Sequence, residues 1–581
     1  MALAQPVAPP RGIQAAILAV LTMAFAYATW RIVALAWTCD DAFISYRYAR
    51  HLVGGQGLVF NAGERVEGYT NFLFTVAVAG AMRLGLEPRL ASMILGVVAY
   101  IAVAVVLYRW SLRGSMQRRF GAVFPVAAML WLAQDDLHTW ATGGLETTVF
   151  AALSLGGLYV TTRNTRRPCD AAIGGMLLGL ACLTRPDGLV FATIGALAPF
   201  FTFELNTNSM RRTVLARAAT VAGIVGMVLT AFVAFKFVYY GRVLPTAFYA
   251  KSAQRHFYSQ GLFYVTLYFM KHWAMALALG ILPVTAWVAR RHRAVRADAL
   301  LAFVAFAVFT AYVAHSGGDY MFARRLVPAL PFLFVFLDSL VANLAVPARH
   351  AAASAIVLGS YFPNPVFSPV KPEWLHGITE ERVHYPEALI ALRHQQADLA
   401  RELLAGTHTS VAFAGGMCAF AYYSDLPNLV EPNGLTQYWI AEQSLLERGK
   451  IGHEKAVSLE SLREHGVTLI VHHDLPPVSG AKPRFDEIIV GRMLRLQIVQ
   501  YDEALMEHLA DDPRVRFRTK QEVLREAQLD LSQMGCADAK KSYDVLFQTY
   551  FRRSPAGAEP LRKALELACH SGAKEPLEAT H

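Results

Sequence analysis

The sequence predicts a polytopic α-helical membrane protein with a C-terminal soluble α/β domain, and three observations predict it. Of 581 residues, 55% are hydrophobic and only 17% are charged, and the mean hydropathy is +0.33, a composition that suits many membrane spans. Up to Phe362 the chain consists of apolar runs divided by short charged loops, whereas beyond it the polarity is ordinary. Two domains are therefore expected, a transmembrane one over 1–362 and an extracytoplasmic one over 363–581.

Met1 to Arg11 makes a poor signal peptide. The apolar run behind Arg11, Ile13 to Ala36, exceeds a cleaved hydrophobic region and lacks a small-residue cleavage site, so it is expected to stay as the first span. The later runs are Leu90–Tyr108, Phe120–Ala133, Leu145–Thr161, Ala171–Thr184, Leu189–Phe203, Val214–Phe237, Trp273–Val288, Ala299–Ala314, Leu326–Val341 and Ala351–Phe362. Together they make about eleven spans, with interfacial helices in addition.

Cytoplasmic loops collect Lys and Arg. The clusters are Arg109, Arg113, Arg118 and Arg119; Arg163, Arg166 and Arg167; Arg211, Arg212 and Arg217; Arg290, Arg291, Arg293 and Arg296; and Arg349. They share one side if Asn71 to Leu86 lies along the outer interface. At about 1.5 Å per residue this segment covers roughly 24 Å of a roughly 30 Å hydrocarbon core. An odd number of spans from an inside N-terminus then puts the C-terminal domain outside.

The polar insert Thr38 to Asn71 is unlike an ordinary membrane loop. Asp40 can cap a helix from Asp41 to Val53, and Gly54-Gly55 can end it. Leu58 to Phe60 reads as extended, Asn61-Ala62-Gly63 as a turn, and Thr70 or Asn71 as the cap of the next helix. The same outer face receives Glu64, Glu67, Asp135-Asp136-Leu-His138, Glu146, Arg185-Pro-Asp187, a long loop Tyr239 to Trp273 with Lys251, and the loop His315 to Arg325. Ionisable groups at span ends are costly to desolvate, so their collection on one face points to an extracytoplasmic active site.

Carboxylates backed by cations suit transfer of a sugar from a lipid phosphate to a hydroxyl. Arginine holds the phosphate bidentately, and a carboxylate takes the hydroxyl proton as attack proceeds. The phosphate is already a workable leaving group, so cations or a divalent metal ion can stand in for a general acid. No P-loop or Rossmann fingerprint follows a predicted strand, and nothing in the chain suits nucleic acid.

The insert motif Asp40-Asp-Ala-Phe-Ile-Ser-Tyr-Arg-Tyr-Ala-Arg-His-Leu, with Gly57-Leu-Val-Phe-Asn61 and Gly63-Glu-Arg-Val-Glu67-Gly-Tyr-Thr-Asn71, resembles the first extracytoplasmic loop of the AftB-like arabinofuranosyltransferases, polytopic enzymes of the GT-C superfamily. The likeness runs on through Gly144-Leu-Glu146-Thr, Arg185-Pro-Asp187-Gly, Tyr239-Tyr-Gly241, Leu244-Pro245, Gly317-Gly-Asp319-Tyr and Ile451-Gly-His453-Glu-Lys455. The resemblance implies a GT-C-like fold and a polyprenyl-phosphate arabinofuranose donor. It further implies a glycan or glycoprotein acceptor and a first-loop aspartate at the reaction centre, in a bacterial cytoplasmic membrane.

Asp41 and Asp40 are the expected catalytic groups. Consecutive residues at a helix start point about 100° apart, so one caps or coordinates while the other faces the acceptor. The expected substrate contacts are Arg47, Glu67, Tyr69 and Asn71 in the insert, then Glu146, Arg185 and Lys251. His315, Asp319, Arg324 and Arg325 follow on a loop whose Gly-Gly pair permits close backbone approach. Arg47 and Arg50 serve either as carboxylate bridges or as phosphate ligands, and Glu146 either as a site residue or as a first-turn charge.

In the C-terminal domain, Val411–Ala414 and Val467–Val471 read as buried strands, and Pro386–Leu404 and Gly491–Met506 as helices. Tyr422, Tyr423, Tyr438 and Trp439 can stack on sugar rings or fill the core. His472-His473-Asp474 looks like a metal set, but adjacent residues at a strand end face opposite ways, which speaks against it. Cys536 and Cys569 are expected to form a disulfide outside the cytoplasm. Many spans and buried charges would also suit a transporter or flippase for a lipid-linked sugar, yet the chain shows no internal repeat.

Overall fold

Each apolar run named above contains a helix among its described residues, because backbone groups withdrawn from water must bond within their own segment. In the computed structural model, the described residues are 11–116, 124–163, 167, 169–202, 207–251, 256–288, 293–342, 344, 346–445, 451–455, 457–476 and 482–571. Arg118, Arg119, Arg166, Arg290, Arg291 and the start of the Phe120–Ala133 run lie outside them. Two units divide the chain, one holding residues up to 60, 65–387 and 444–454, the other 61–64, 388–443 and 455 onward.

In the first unit the helices are α1 (Arg11–Ala34), α2 (Ala42–Val53), α3 (Phe72–Arg83), α4 (Pro88–Met116), α5 (Val126–Ala133), α6 (Asp135–Thr142), α7 (Thr147–Thr161) and α8 (Cys169–Thr184). They continue as α9 (Gly188–Thr202), α10 (Asn208–Tyr240), α11 (Thr246–Ala250), α12 (Tyr258–Lys271), α13 (Trp273–Val288), α14 (Arg293–His315), α15 (Leu330–Val341) and α16 (Val346–Ser360). α8 packs between α7 and α10, while α15 packs on α14 and α5. The residues of α15 are all buried, which accounts for an apolar run with no polar face.

The chain is a multi-pass membrane protein. Gln14–Ala34, Pro88–Arg113, Asn208–Tyr240 and Ala297–His315 are each long and apolar enough to cross a bilayer. Tyr258–Lys271 and Trp273–Leu282 add a further span if the pair, bent by 97°, is one broken crossing. Discontinuous helices of this kind also occur in transporters, so the bend by itself does not separate the two readings. α3 is 12 residues long, too short to span.

Three local expectations are corrected. The Tyr239–Trp273 loop contains α11 and α12, because Tyr264, Leu267 and Tyr268 supply a buried stripe at helical spacing. The Asp135-Asp136-Leu-His138 loop is the start of α6, where carboxylates favour the first turn. Gly491–Met506 is a strand and then a helix, since Leu494, Leu496 and Ile498 are buried while Arg495 and Gln497 between them are not.

The second unit is the α/β region. Its helices are α17 (Glu387–Leu403), α18 (Cys418–Ser424), α19 (Tyr438–Ala441), α20 (Leu459–Glu464), α21 (Glu503–Ala510), α22 (Lys520–Gln533), α23 (Cys536–Leu546) and α24 (Glu559–Ser571). Its strands are β1 (Ser410–Phe413), β2 (Asn428–Val430), β3 (Leu469–Val471), β4 (Glu487–Val490), β5 (Leu494–Ile498) and β6 (Val515–Arg516). They form a six-stranded sheet of order β2-β1-β3-β5-β4-β6. β1 pairs in parallel with β2 and β3, and the other pairings are antiparallel. Ala412, Val430, Ile440, Leu462, Val467 and Val499 form a core cluster. Cys536 and Cys569 are joined by the expected disulfide. Tyr423 stacks on His394 and Trp439 on His465, so these faces have partners inside the unit. His472 bonds Gln497, while His473 pairs with Asp474.

Candidate functional site

The first-loop helix places its two aspartates differently. α2 begins at Ala42, so the N-cap position falls to Asp41, and the Asp41 side chain makes no capping bond. Asp40, expected as the cap, is 2% exposed, whereas Asp41 is half-buried. The Tyr320 hydroxyl donates to Asp41 Oδ2 at 3.3 Å. Asn71 does occupy the N-cap position of α3, but its side chain also does other work. Its Oδ1 accepts from Ser45 and Thr75, and its Nδ2 donates to Glu146 Oε2 at 3.0 Å.

From Glu146 the network continues across the helix ends. Arg185 Nη1 donates to Glu146 Oε1 at 2.8 Å and Arg185 Nε to Asp187 Oδ1 at 3.0 Å. Asp187 also faces Arg325 at 3.7 Å. Arg325 donates to Ser316 Oγ and to the Gly318 carbonyl, which fixes it within its own loop. Next to it, Arg324 Nε lies 3.4 Å from Asp319 Oδ2. Lys251 is half-buried and lies within electrostatic reach of Arg324, Asp319, Asp41 and Arg325. The loops after α1, α6, α8, α11 and α14 thereby bring Asp41, Glu146, Arg185, Asp187, Lys251, Asp319, Arg324 and Arg325 into one network.

Burial, with the Arg324 charge after it, lowers the Lys251 ammonium pKa. Burial raises the Asp319 carboxyl, but Arg324, Lys251 and Arg325 outweigh it and hold the group below its ordinary range. Cations close enough to repel one another, with carboxylates beside them, make a place where an anion would be stabilised.

The other candidates shape the insert or stand apart from the network. Arg47 is buried and donates to the Phe60 carbonyl at 2.7 Å. Glu67 pairs with Lys236 at 2.8 Å, and its carbonyl accepts from Thr246. Burial pushes the Glu67 carboxyl up to about 7, with Lys236 opposing. Tyr69 bonds Tyr240 through their hydroxyls. His315 is exposed and meets the Tyr258 hydroxyl at 2.8 Å. The close approach expected at the Gly-Gly pair is to protein, since Gly318 has φ 75° and an added Cβ would meet the Tyr264 ring. Among the described residues, no three His, Cys, Asp or Glu side chains are grouped to hold a metal ion, so no step is assigned to one.

Three residues with roles here were not singled out in the sequence. Lys236 is a lone lysine inside an apolar run, a signal that could have revealed its buried partner. Tyr320 follows Asp319 directly. Tyr264 donates to the Met321 carbonyl and accepts from Arg325 N, holding the loop from α12.

No family model matches the chain. A curated terminal beta-(1->2)-arabinofuranosyltransferase from Mycobacterium tuberculosis is 30% identical over 344 residues, covering 53% of this chain and 52% of that protein. A protein of the same name from Corynebacterium glutamicum is 27% identical over 349 residues, covering 54% and 48%. The chain thus spans about half the length of the curated relatives it matches. Among solved structures, ArnT from Cupriavidus metallidurans bound to undecaprenyl phosphate gives a TM-score of 0.51 at 11% identity, covering 85% of this chain and 99% of that one. Its apo form gives 0.50 at 12% identity, covering 85% and 98%. At such identities the likeness is one of fold, and the fold is GT-C-like.

Proposed function

We propose that this chain is a membrane glycosyltransferase that moves an arabinofuranosyl or related pentosyl residue from a polyprenyl-phosphate donor to a hydroxyl of a cell-envelope glycan or glycoprotein. The reaction belongs, on this reading, to the extracytoplasmic face of a bacterial cytoplasmic membrane, with the C-terminal unit on the same side. Support comes from the sequence likeness to two arabinofuranosyltransferases and from the fold likeness to a protein solved with undecaprenyl phosphate. The observation that carries the reading is a half-buried aspartate, Asp41, within electrostatic reach of Lys251 and Arg324.

In the proposed reaction the acceptor oxygen attacks the anomeric carbon of the donor. The bond from that carbon to the phosphate oxygen breaks, its electron pair leaves with the phosphate, and the acceptor proton passes to Asp41. Arg324, Arg325 and Lys251 take the phosphate charge, and Asp319 and Asp187 hold the arginines in place. Glu146, Arg185 and Asn71 join that cation group to α2, so that base and phosphate site keep a fixed separation. Asp40, Arg47, Glu67 and Tyr69 act through the shape of the insert, and His315 gains no role in the transfer.

The test is transfer itself, with purified protein in lipid nanodiscs, labelled polyprenyl-phosphate arabinofuranose and candidate envelope glycans. Labelled glycan is the expected product. Donor crossing the bilayer of sealed vesicles without transfer would favour the flippase reading instead.

A further inference from the structure

Tyr320 is held from three directions. Its backbone is pinned by Thr379, whose N–H donates to the Tyr320 carbonyl at 2.9 Å, while Phe322 N–H donates back to the Thr379 carbonyl at 2.9 Å. Its ring packs edge-on to His453 at 4.9 Å between centroids. The other contact is Gly452, at φ 85°, where an added Cβ would come within 3.2 Å of the ring. Only glycine allows both that conformation and that approach at low cost. Ile451, in the same short segment, covers Gly317 of the loop that carries Tyr320. A tyrosine with its ring and backbone both fixed has little freedom left in its hydroxyl, which points at Asp41.

We propose that Tyr320 is a positioning residue for Asp41, and that Gly452 and His453 act at one remove by fixing the Tyr320 ring. The inference rests on the reading of Asp41 as the base. A hydroxyl that donates to a carboxylate orients it and favours its charged form. The other groups facing Asp41 are Lys251, Arg324, Cys39 and Tyr385. Burial, then the charges of Asp41 and Glu381, push the Tyr320 phenol well above its ordinary range, so it remains a donor at working pH.

The experiment measures kcat, donor KM and the pH dependence of kcat for Tyr320→Phe, Gly452→Ala and Asp41→Asn, with thermal unfolding as a fold check. Tyr320→Phe should lower kcat about 10- to 100-fold with little change in donor KM, and should move the acid limb to higher pH. Gly452→Ala, which keeps the phenol but crowds its ring, should change kcat and the acid limb in the same direction and by less. In an Asp41→Asn background, Tyr320→Phe should have no further effect on residual turnover. A folded Tyr320→Phe with an unmoved acid limb would overturn the proposal while leaving Asp41 as the base. If Tyr320→Phe does not fold, the acid limb of Gly452→Ala decides in the same way. Normal turnover by Asp41→Asn would instead overturn the reading of the site itself.

Discussion

The chain carries two Asp-Asp pairs near helix starts, Asp40-Asp41 ahead of α2 and Asp135-Asp136 opening α6, and Asp41 stands in a setting unlike that of either residue of the second pair. Asp135 receives Arg31 Nε at 2.7 Å. Asp136 receives Lys271 Nζ at 2.6 Å and His272 Nε2 at 2.7 Å, at the bend between α12 and α13. Lys271 and His272 outweigh burial and hold the Asp136 carboxyl well below its ordinary range. Asp41 forms no ion pair among the described residues and meets a neutral hydroxyl at 3.3 Å. The dipeptide is the same, so the difference lies in what other helices present to it. Closely paired carboxylates have their lone pairs occupied and fix the fold, whereas a loosely held one within reach of Lys251 and Arg324 is left to meet a ligand.

The comparison can be broken most directly at the closed pair. Asp136→Asn leaves Lys271 without its compensating charge and should lower stability by about 3–5 kcal/mol, read by unfolding in detergent, with donor affinity of the folded fraction unchanged. A variant as stable as the parent would show that the close pairing is not structural. At the open site, Arg324→Gln should weaken donor binding by the folded fraction by about 10- to 100-fold, or about 1.5–3 kcal/mol. Titration with the polyprenyl-phosphate donor measures it, and unaltered affinity would remove Arg324 from the phosphate site.

A pH effect separates the insert from both pairs. Glu67 sits at about 7, above its ordinary 4.5, so the folded chain binds more protons than the unfolded one between those values. Stability from this group is therefore present at low pH and is lost as pH rises from 4.5 through about 7. The loss should be on the order of 3 kcal/mol, the Lys236 attraction being already part of that shift. Glu67→Gln should flatten that window, and an unchanged slope in stability against pH would contradict the assignment.

How far the sequence could be read follows from the range of the interactions. Apolar runs mark helices because the bilayer demands internal hydrogen bonding, and so α1, α4, α7 to α10 and α13 to α16 were legible. α12 was not, since Tyr258, Gln260 and Lys271 dilute its hydropathy while its buried stripe runs through Gly261, Tyr264, Leu267 and Tyr268. In the site, Asp41, Glu146, Arg185, Lys251, Asp319, Arg324 and Arg325 could be gathered from the outer loops. The sequence could not show that Glu67 faces Lys236, or that the two Asp-Asp pairs differ. Those partners lie far away in the chain, and which one a carboxylate meets depends on helix packing, to which no local pattern refers.

The central claim is that Asp41 serves chemistry and not folding. The measurement is turnover and thermal unfolding of purified Asp41→Asn, with donor binding assayed separately. The account predicts a loss of about 10²- to 10⁴-fold in turnover, with donor affinity and unfolding temperature close to those of the parent. Near-normal turnover, or a loss of activity explained by unfolding, would contradict it.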